Sequence, residues 1–272
     1  MEGNKHDVLR ALIDNVHHDG PIVETCGLTV ATLFPVDPKL ALWYEAFVAK
    51  LRAEDWFVGT PSYVYPSAAL HCTVATLLDF VLMHGKPPID VPAFAAMWHD
   101  ALRNALAASP VFGPHLAPQD PNSPSVTTLT GLNPMYFRMS RPRLTSNCAI
   151  LEFVEEGADP SVWAFRDVIK SAFQGQIAAF YDSELGGVEG NHFRVPTIIH
   201  TTFVRVFDDL SEAQAQRFRA GFADLVEREW PSEGLLIGPV TSFHLAHEWT
   251  PFMHMIHLDA SRPFSLASFE IK

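Results

Sequence analysis

Apolar positions along the chain change period several times, and each period predicts a different element. Leu28–Phe34 (LTVATLF) is a β-branched apolar run and predicts a strand. After Asp37-Pro38, Leu40, Trp43, Phe47 and Leu51 recur at helical spacing, predicting a helix through about Ala53. A Gly/Pro/Tyr-rich stretch, Gly59–Pro66, leads into ALHCTVATLLDFVLM, whose first half reads as a strand. Residues 91–108 return to the helical period, with Pro92 suited to a first turn. Gly113–Ser125 carries four prolines and is expected to be a long loop between two strands. Cys148–Val154 (CAILEFV) predicts a strand. A single helix is then expected over about 160–181, with Trp163, Phe165, Ile169, Phe173 and Ile177 apolar.

The polar, glycine-rich stretch SELGGVEGNHFR precedes a strand over Thr197–Phe207. Asp209 or Ser211 then caps a helix ending near Trp230, and strands over Pro239–His247 and Met253–Leu258 close the chain. Residues 5–18 predict a short N-terminal helix, broken at Asp19-Gly20-Pro21.

This order of elements repeats once. Strand, helix and strand over 28–78 are followed by a helix and two strands, and the same sequence of elements restarts at 148. The expectation is an α+β fold of two pseudo-symmetric lobes, each with an antiparallel-rich sheet and outer helices, around a cleft. Residues 1–25 would form a helical extension and 26–272 one bilobal domain.

Composition narrows the possibilities. With 48% hydrophobic and 18% charged residues, the chain can bury a core, which excludes a disordered or collagen-like polymer. The longest apolar run, Val74–Met83, is interrupted by Asp79 and falls short of the roughly 20 residues of a spanning helix. No secretory-type apolar segment opens the sequence, so a soluble cytoplasmic protein is expected. The net charge of −12 argues against duplex DNA as partner, since phosphates require clustered Lys and Arg. It leaves room for a small nucleotide or a short RNA terminus bound by a monomer. Cys26, Cys72 and Cys148 are widely spaced with no C-x-x-C, as free thiols in a reducing compartment would be.

Two short matches fall in the corresponding strands of the repeat: His71-Cys72-Thr73-Val74 and His200-Thr201-Thr202-Phe203. On a strand, residues i and i+2 share a face about 7 Å apart, so each match would present one imidazole beside one hydroxyl. A single His-x-Thr arises readily by chance; two in equivalent strands carry more weight. Cys72 would point to the opposite face, as a packing residue rather than a nucleophile.

With these two motifs and this element order, roughly residues 26–260 resemble the 2H phosphoesterase superfamily, which includes RNA 2′,3′-cyclic phosphodiesterases and RNA ligase-like proteins. Pro196 and Pro66 stand four and five residues before the motif histidines, somewhat farther than in most members, as in a divergent branch. The resemblance implies metal- and cofactor-free phosphodiester chemistry, with His71 and His200 as general acid and base and Thr73 and Thr202 holding the phosphate. The chemistry is apt, because an imidazole with pKa near 6.5 serves as either acid or base near neutrality.

Other residues are candidates for substrate contact. His192 and Arg194 lie just ahead of the second motif. Phe34, Tyr63, Tyr65, Tyr136 and Trp249 could stack on a base. Arg138, Arg141 and Arg143 form the conspicuous basic cluster. His244-x-x-His247 and His254-x-x-His257 raise a zinc-dependent hydrolase as a rival, although a hairpin would send i and i+3 to opposite faces. A nucleotide-binding module without turnover is the other alternative. Phosphate-loop, dinucleotide-binding, nucleophile-elbow and zincin motifs do not occur.

Overall fold

Gly27–Thr32 (β1) is buried along its whole length, as expected of a strand covered on both faces. In the computed structural model, which describes residues 24–145, 148–157, 161–186, 192–206, 210–231, 233–250 and 264–272, β1 lies between two antiparallel partners. These are Cys72–Leu78 (β3), which carries the first motif, and Ser242–Glu248 (β10). Ser265–Ile271 (β11) pairs with β10, and Val126–Leu129 (β4) joins β11 in parallel, giving the order β3-β1-β10-β11-β4.

The second sheet has the order β2-β8-β7-β5-β9. It is built from Ser62–Val64 (β2), Ile199–Val206 (β8), Cys148–Glu156 (β7), Met135–Met139 (β5) and Leu235–Val240 (β9), with Arg143–Leu144 (β6) beside β7. The second motif lies on β8. The chain is therefore α+β with two antiparallel-rich sheets, one motif strand in each.

The helices start where local chemistry satisfies their free N–H groups. Asp37 accepts from the Lys39 and Leu40 amides and starts Pro38–Ala53 (α1). Asp90 and Ser161 do the same for Val91–Ala108 (α3) and Val162–Ala172 (α4). Ser211 and Gln214 form a capping box on Glu212–Glu229 (α6). Helices α1 and α6 cover the second sheet, where Phe47 meets Phe203 of β8 and Phe222 of α6 edge to face. Helices α3 and α4 cover the first, where Phe165 stacks on Phe243 with centroids 3.9 Å apart and His99 meets Phe269. The short Phe80–Met83 (α2) follows β3 directly. Among the described residues no helix is long and apolar enough to cross a membrane.

Several expectations are corrected. The lobes are not contiguous halves: β5, from the first repeat, pairs with β7 in the second sheet, whereas β10 and β11, from the second, complete the first sheet. Periodicity marks a strand but not its partner, and this exchange is invisible to it. The single helix over 160–181 is two, α4 and Gln176–Glu184 (α5), because Gly175 takes φ +57° between them. The first strand stops at Thr32, where Leu33 turns to φ +61°. The proline-rich segment joins helix α3 to β4 rather than two strands, and Pro239–His247 divides between β9 and β10 at Thr241. The strand β11 was not anticipated. The expected N-terminal helix, its Asp19-Gly20-Pro21 break, Asp209 and the strand Met253–Leu258 lie outside the described residues.

Candidate active site

The two motif strands meet where the sheets join. Thr76 on β3 exchanges both backbone hydrogen bonds with Arg194, just before β8 (2.8 and 2.9 Å), so the edge of one sheet is tied to the entry of the other. At this junction a cavity of about 180 Å³ is lined by His71 and Thr73 from one side and His200 and Thr202 from the other. Cys72 and Val74 point into the core, as strand alternation requires.

Alternation then fails in the same way on both strands. The pairing of β3 with β1 steps from Ala31↔Thr73 to Val30↔Ala75, leaving Val74 as an extra residue. The pairing of β8 with β7 steps from Ile150↔Thr202 to Ala149↔Val204, leaving Phe203 extra. Each bulge resets the face, so Thr76 and Arg205, three residues past the motif threonines, also line the cavity.

The imidazoles are held differently. His71 Nδ1 lies 2.8 Å from the Ala69 carbonyl. A carbonyl can only accept, so in the neutral ring Nδ1 carries the proton and Nε2 keeps its lone pair. His200 Nδ1 faces the corresponding carbonyl, Ile198, without closing a hydrogen bond. That carbonyl accepts instead from Arg166 on α4 (2.8 Å), whose guanidinium also reaches the carbonyls of Val74 (3.2 Å) and Thr73 (3.4 Å). One buried cation thus spans both motif strands from behind.

Burial pushes both histidines below 6.5. For His71 the Ala69 carbonyl opposes this and the neighbouring His200 adds to it; for His200 the Ile198 carbonyl opposes it and the Arg166 charge adds to it. Among the described residues the Thr73 and Thr202 hydroxyls have no hydrogen-bond partner within the protein, so both can donate to a ligand.

Charged groups complete the walls. Arg205 donates to the Tyr65 hydroxyl (2.9 Å) and to Cys148 Sγ (3.5 Å). Arg194 is ion-paired with buried Asp79, which also caps α2 through the Val81 amide. Glu248, at the end of β10, is raised to about 8, chiefly by burial and also by the Asp79 charge. The cavity therefore holds two guanidiniums and two carboxyl groups beside the histidines.

Of the expected substrate-contacting residues, Tyr65 and Arg194 line the cavity. The others stand elsewhere. Phe34 packs on Phe264 and His244, Tyr63 is buried against Tyr65, and Trp249 is buried behind β10. Tyr63 and Trp249 are buried and Phe34 is half-buried, and none of the three lines the cavity. Tyr136 is exposed on β5, outside the cavity, and Arg138 beside it is ion-paired with Glu156. His192 is fully buried and does not reach the lining.

Arg141 and Arg143 pair with Glu227 and Glu152, so the basic cluster is neutralised by neighbours that a reading of basic residues alone overlooks. His244 is hydrogen-bonded to Ser242, Ser265 and the Phe34 carbonyl. His254 and His257 lie outside the described residues, among which no group of three or more His, Cys, Asp or Glu is placed to hold a metal.

Sequence reading missed Thr76, Arg205, Asp79 and Glu248. The bulges hid the first two, and the β1–β10 pairing that brings in Glu248 spans more than two hundred residues. The arrangement can hold one small anion between two hydroxyls, with an imidazole available on each side. No protein-family model matches the chain, and no curated protein matches its sequence.

Proposed function

We propose that this chain is a phosphodiesterase of the 2H type that opens a 2′,3′-cyclic phosphate, or cleaves a related 2′–5′ or 3′-terminal linkage, on a nucleotide or RNA end. The observation that carries this reading is the convergence of two His-x-Thr strands, one from each sheet, on a single cavity. In this reading the protein is a cytoplasmic monomer that needs no cofactor.

The phosphate sits between Thr73 and Thr202, whose hydroxyls donate to its non-bridging oxygens as charge builds there. Arg205 supplies the fixed positive charge beside them. His71, with its Nδ1 proton committed to Ala69, uses Nε2 to take a proton from the attacking water. The water oxygen bonds to phosphorus, the bond to one ribose oxygen breaks, and protonated His200 delivers a proton to that leaving oxygen. The product is a ribose hydroxyl and a phosphomonoester. Solvent then exchanges the protons and restores both imidazoles. Burial works against a protonated His200 in the free protein, and a bound phosphate anion works for it.

Binding without turnover is the second reading, favoured by the lowered pKa of both histidines. One screen separates them: incubation with the four nucleoside 2′,3′-cyclic phosphates and with short cyclic-phosphate-ended RNAs, with and without chelator. Monoester product, insensitive to chelator and lost in His71→Ala and His200→Ala, is expected. Ligand binding with no product from any substrate would favour the second reading. Activity that a chelator abolishes and zinc restores would favour the zinc-dependent alternative.

A further inference from the structure

The cavity lining joins two imidazoles and the Thr73 and Thr202 hydroxyls to two carboxyl groups, Asp79 and Glu248. Glu248 pairs with Gly27 across β1 and β10. A Cβ on Gly27 would lie 3.0 Å from Glu248 Cβ and 3.2 Å from Glu248 Oε2, so glycine is what leaves this carboxyl its place.

The groups facing it are Asp79 from the end of β3, Arg194 from the entry to β8, and Arg205 and Tyr65 from the second sheet. Arg194 is engaged with Asp79, and Arg205 with Tyr65, Cys148 and, in the reading above, the reacting phosphate. A carboxyl held near 8 is largely protonated at neutral pH and can donate to a ligand oxygen. A second phosphate placed here would find the Arg194 charge already matched by Asp79 and the Arg205 charge shared with the reacting phosphate. Outside the cavity, Arg138, Arg141 and Arg143 are each spent on a glutamate, so this cluster provides no unpaired basic track for a longer chain.

Resting on the phosphodiesterase reading above, we propose that Glu248 is a specificity-determining residue: it admits a single nucleoside cyclic phosphate, with an uncharged, hydroxyl-bearing sugar against the Glu248–Asp79 wall, and disfavours a ligand extended by a second phosphate. The substrate class is then the free mononucleotide rather than an RNA end.

The test compares kcat/KM for adenosine 2′,3′-cyclic phosphate with that for the cyclic-phosphate-ended diadenylate, at pH 7 and pH 9, in the wild type and in Glu248→Gln. The ratio of the two substrates cancels the titration of the histidines. The wild type should prefer the mononucleotide by at least about tenfold at pH 7. The preference should widen severalfold by pH 9, as Glu248 ionises, and Glu248→Gln should hold its pH 7 value throughout. A wild-type ratio near one, or one favouring the dinucleotide, overturns the proposal without any variant. So does a ratio that ignores pH, or that rises equally in Glu248→Gln. Each of these leaves the phosphodiesterase reading intact, because both substrates are turned over. Turnover of neither overturns both.

Discussion

Thr76 and Arg205 occupy the same step in the two halves of the cavity, each three residues past a motif threonine and each turned inward by a one-residue bulge. The fold offers this position twice and fills it asymmetrically, with a neutral hydroxyl on one side and a guanidinium on the other. Replacing Arg205 by Met should lower kcat/KM at least about tenfold, since a charge-assisted hydrogen bond is lost from the phosphate. Thr76→Ala should cost less than about threefold. Steady-state kinetics on a nucleoside cyclic phosphate decides between them, and equal losses would show that the two positions do not divide the work in this way.

The histidines are expected to act as a pair. His71→Ala and His200→Ala should each reduce turnover by at least about a hundredfold, each removing one proton transfer. The double variant should fall far short of the product of the two losses, because once one transfer is gone the other has little left to assist. Fully multiplicative losses would mean that the imidazoles work in separate steps.

Burial sets the direction of the pH dependence. His71 and His200 both lie below 6.5, so the kcat/KM optimum of the free protein should fall on the acid side of pH 6.5. Stability follows from the same displacement. His71, His99, His192, His200 and His244 all favour the neutral ring when folded, so the unfolded chain takes up protons first as pH drops below about 6.5, and stability declines from there downwards. Glu248 works in the opposite sense: its folded pKa of about 8 lies above the ordinary 4.5, so stability is lost as pH rises through that interval. Glu155, also raised by burial, works in the same sense as Glu248, but five histidines outweigh two carboxyls below 6.5, which places the stability maximum near that value. Urea midpoints across pH 5–9 would check this, and Glu248→Gln should flatten the alkaline side and steepen the acid side.

Much of the site was legible because its signals are local. His-x-Thr is a strand pattern, and strand alternation alone aims His71 with Thr73 and His200 with Thr202. The α+β class and the duplication of strand, helix and motif strand were legible for the same reason. What escaped depends on pairing between distant segments. Whether Arg205 faces in or out turns on Phe203 being extra relative to β7, a fact of register rather than composition. Glu248 enters the cavity because β10 crosses to the first sheet, and nothing near residue 248 announces that partner. The aromatic candidates divide by burial: Tyr65 lines the cavity, whereas Tyr63 and Trp249 are buried away from it, which depends on packing between distant segments.

Arg166 provides the last prediction, and it separates geometry from charge. The residue is 1% exposed, yet it carries a full charge and hydrogen-bonds to carbonyls on both motif segments, Thr73 and Val74 on one side and Ile198 on the other. Arg166→Met keeps the apolar stem but leaves those carbonyls without their buried donor, which should lower stability by about 3 kcal/mol. Arg166→Lys keeps the charge but cannot span both strands with one ammonium, so it should recover only part of that loss. The charge also has a separate readout. Arg166 contributes to the lowering of His200, so in Arg166→Met the His200 titration followed by NMR should move upwards, towards 6.5. In Arg166→Lys it should stay closer to the wild-type position. His71, whose lowering comes from burial and from His200 rather than from Arg166, should move far less in either variant. Equal movement of both rings would mean that the cavity had opened to water, and that Arg166 acts on His200 through packing rather than through its charge.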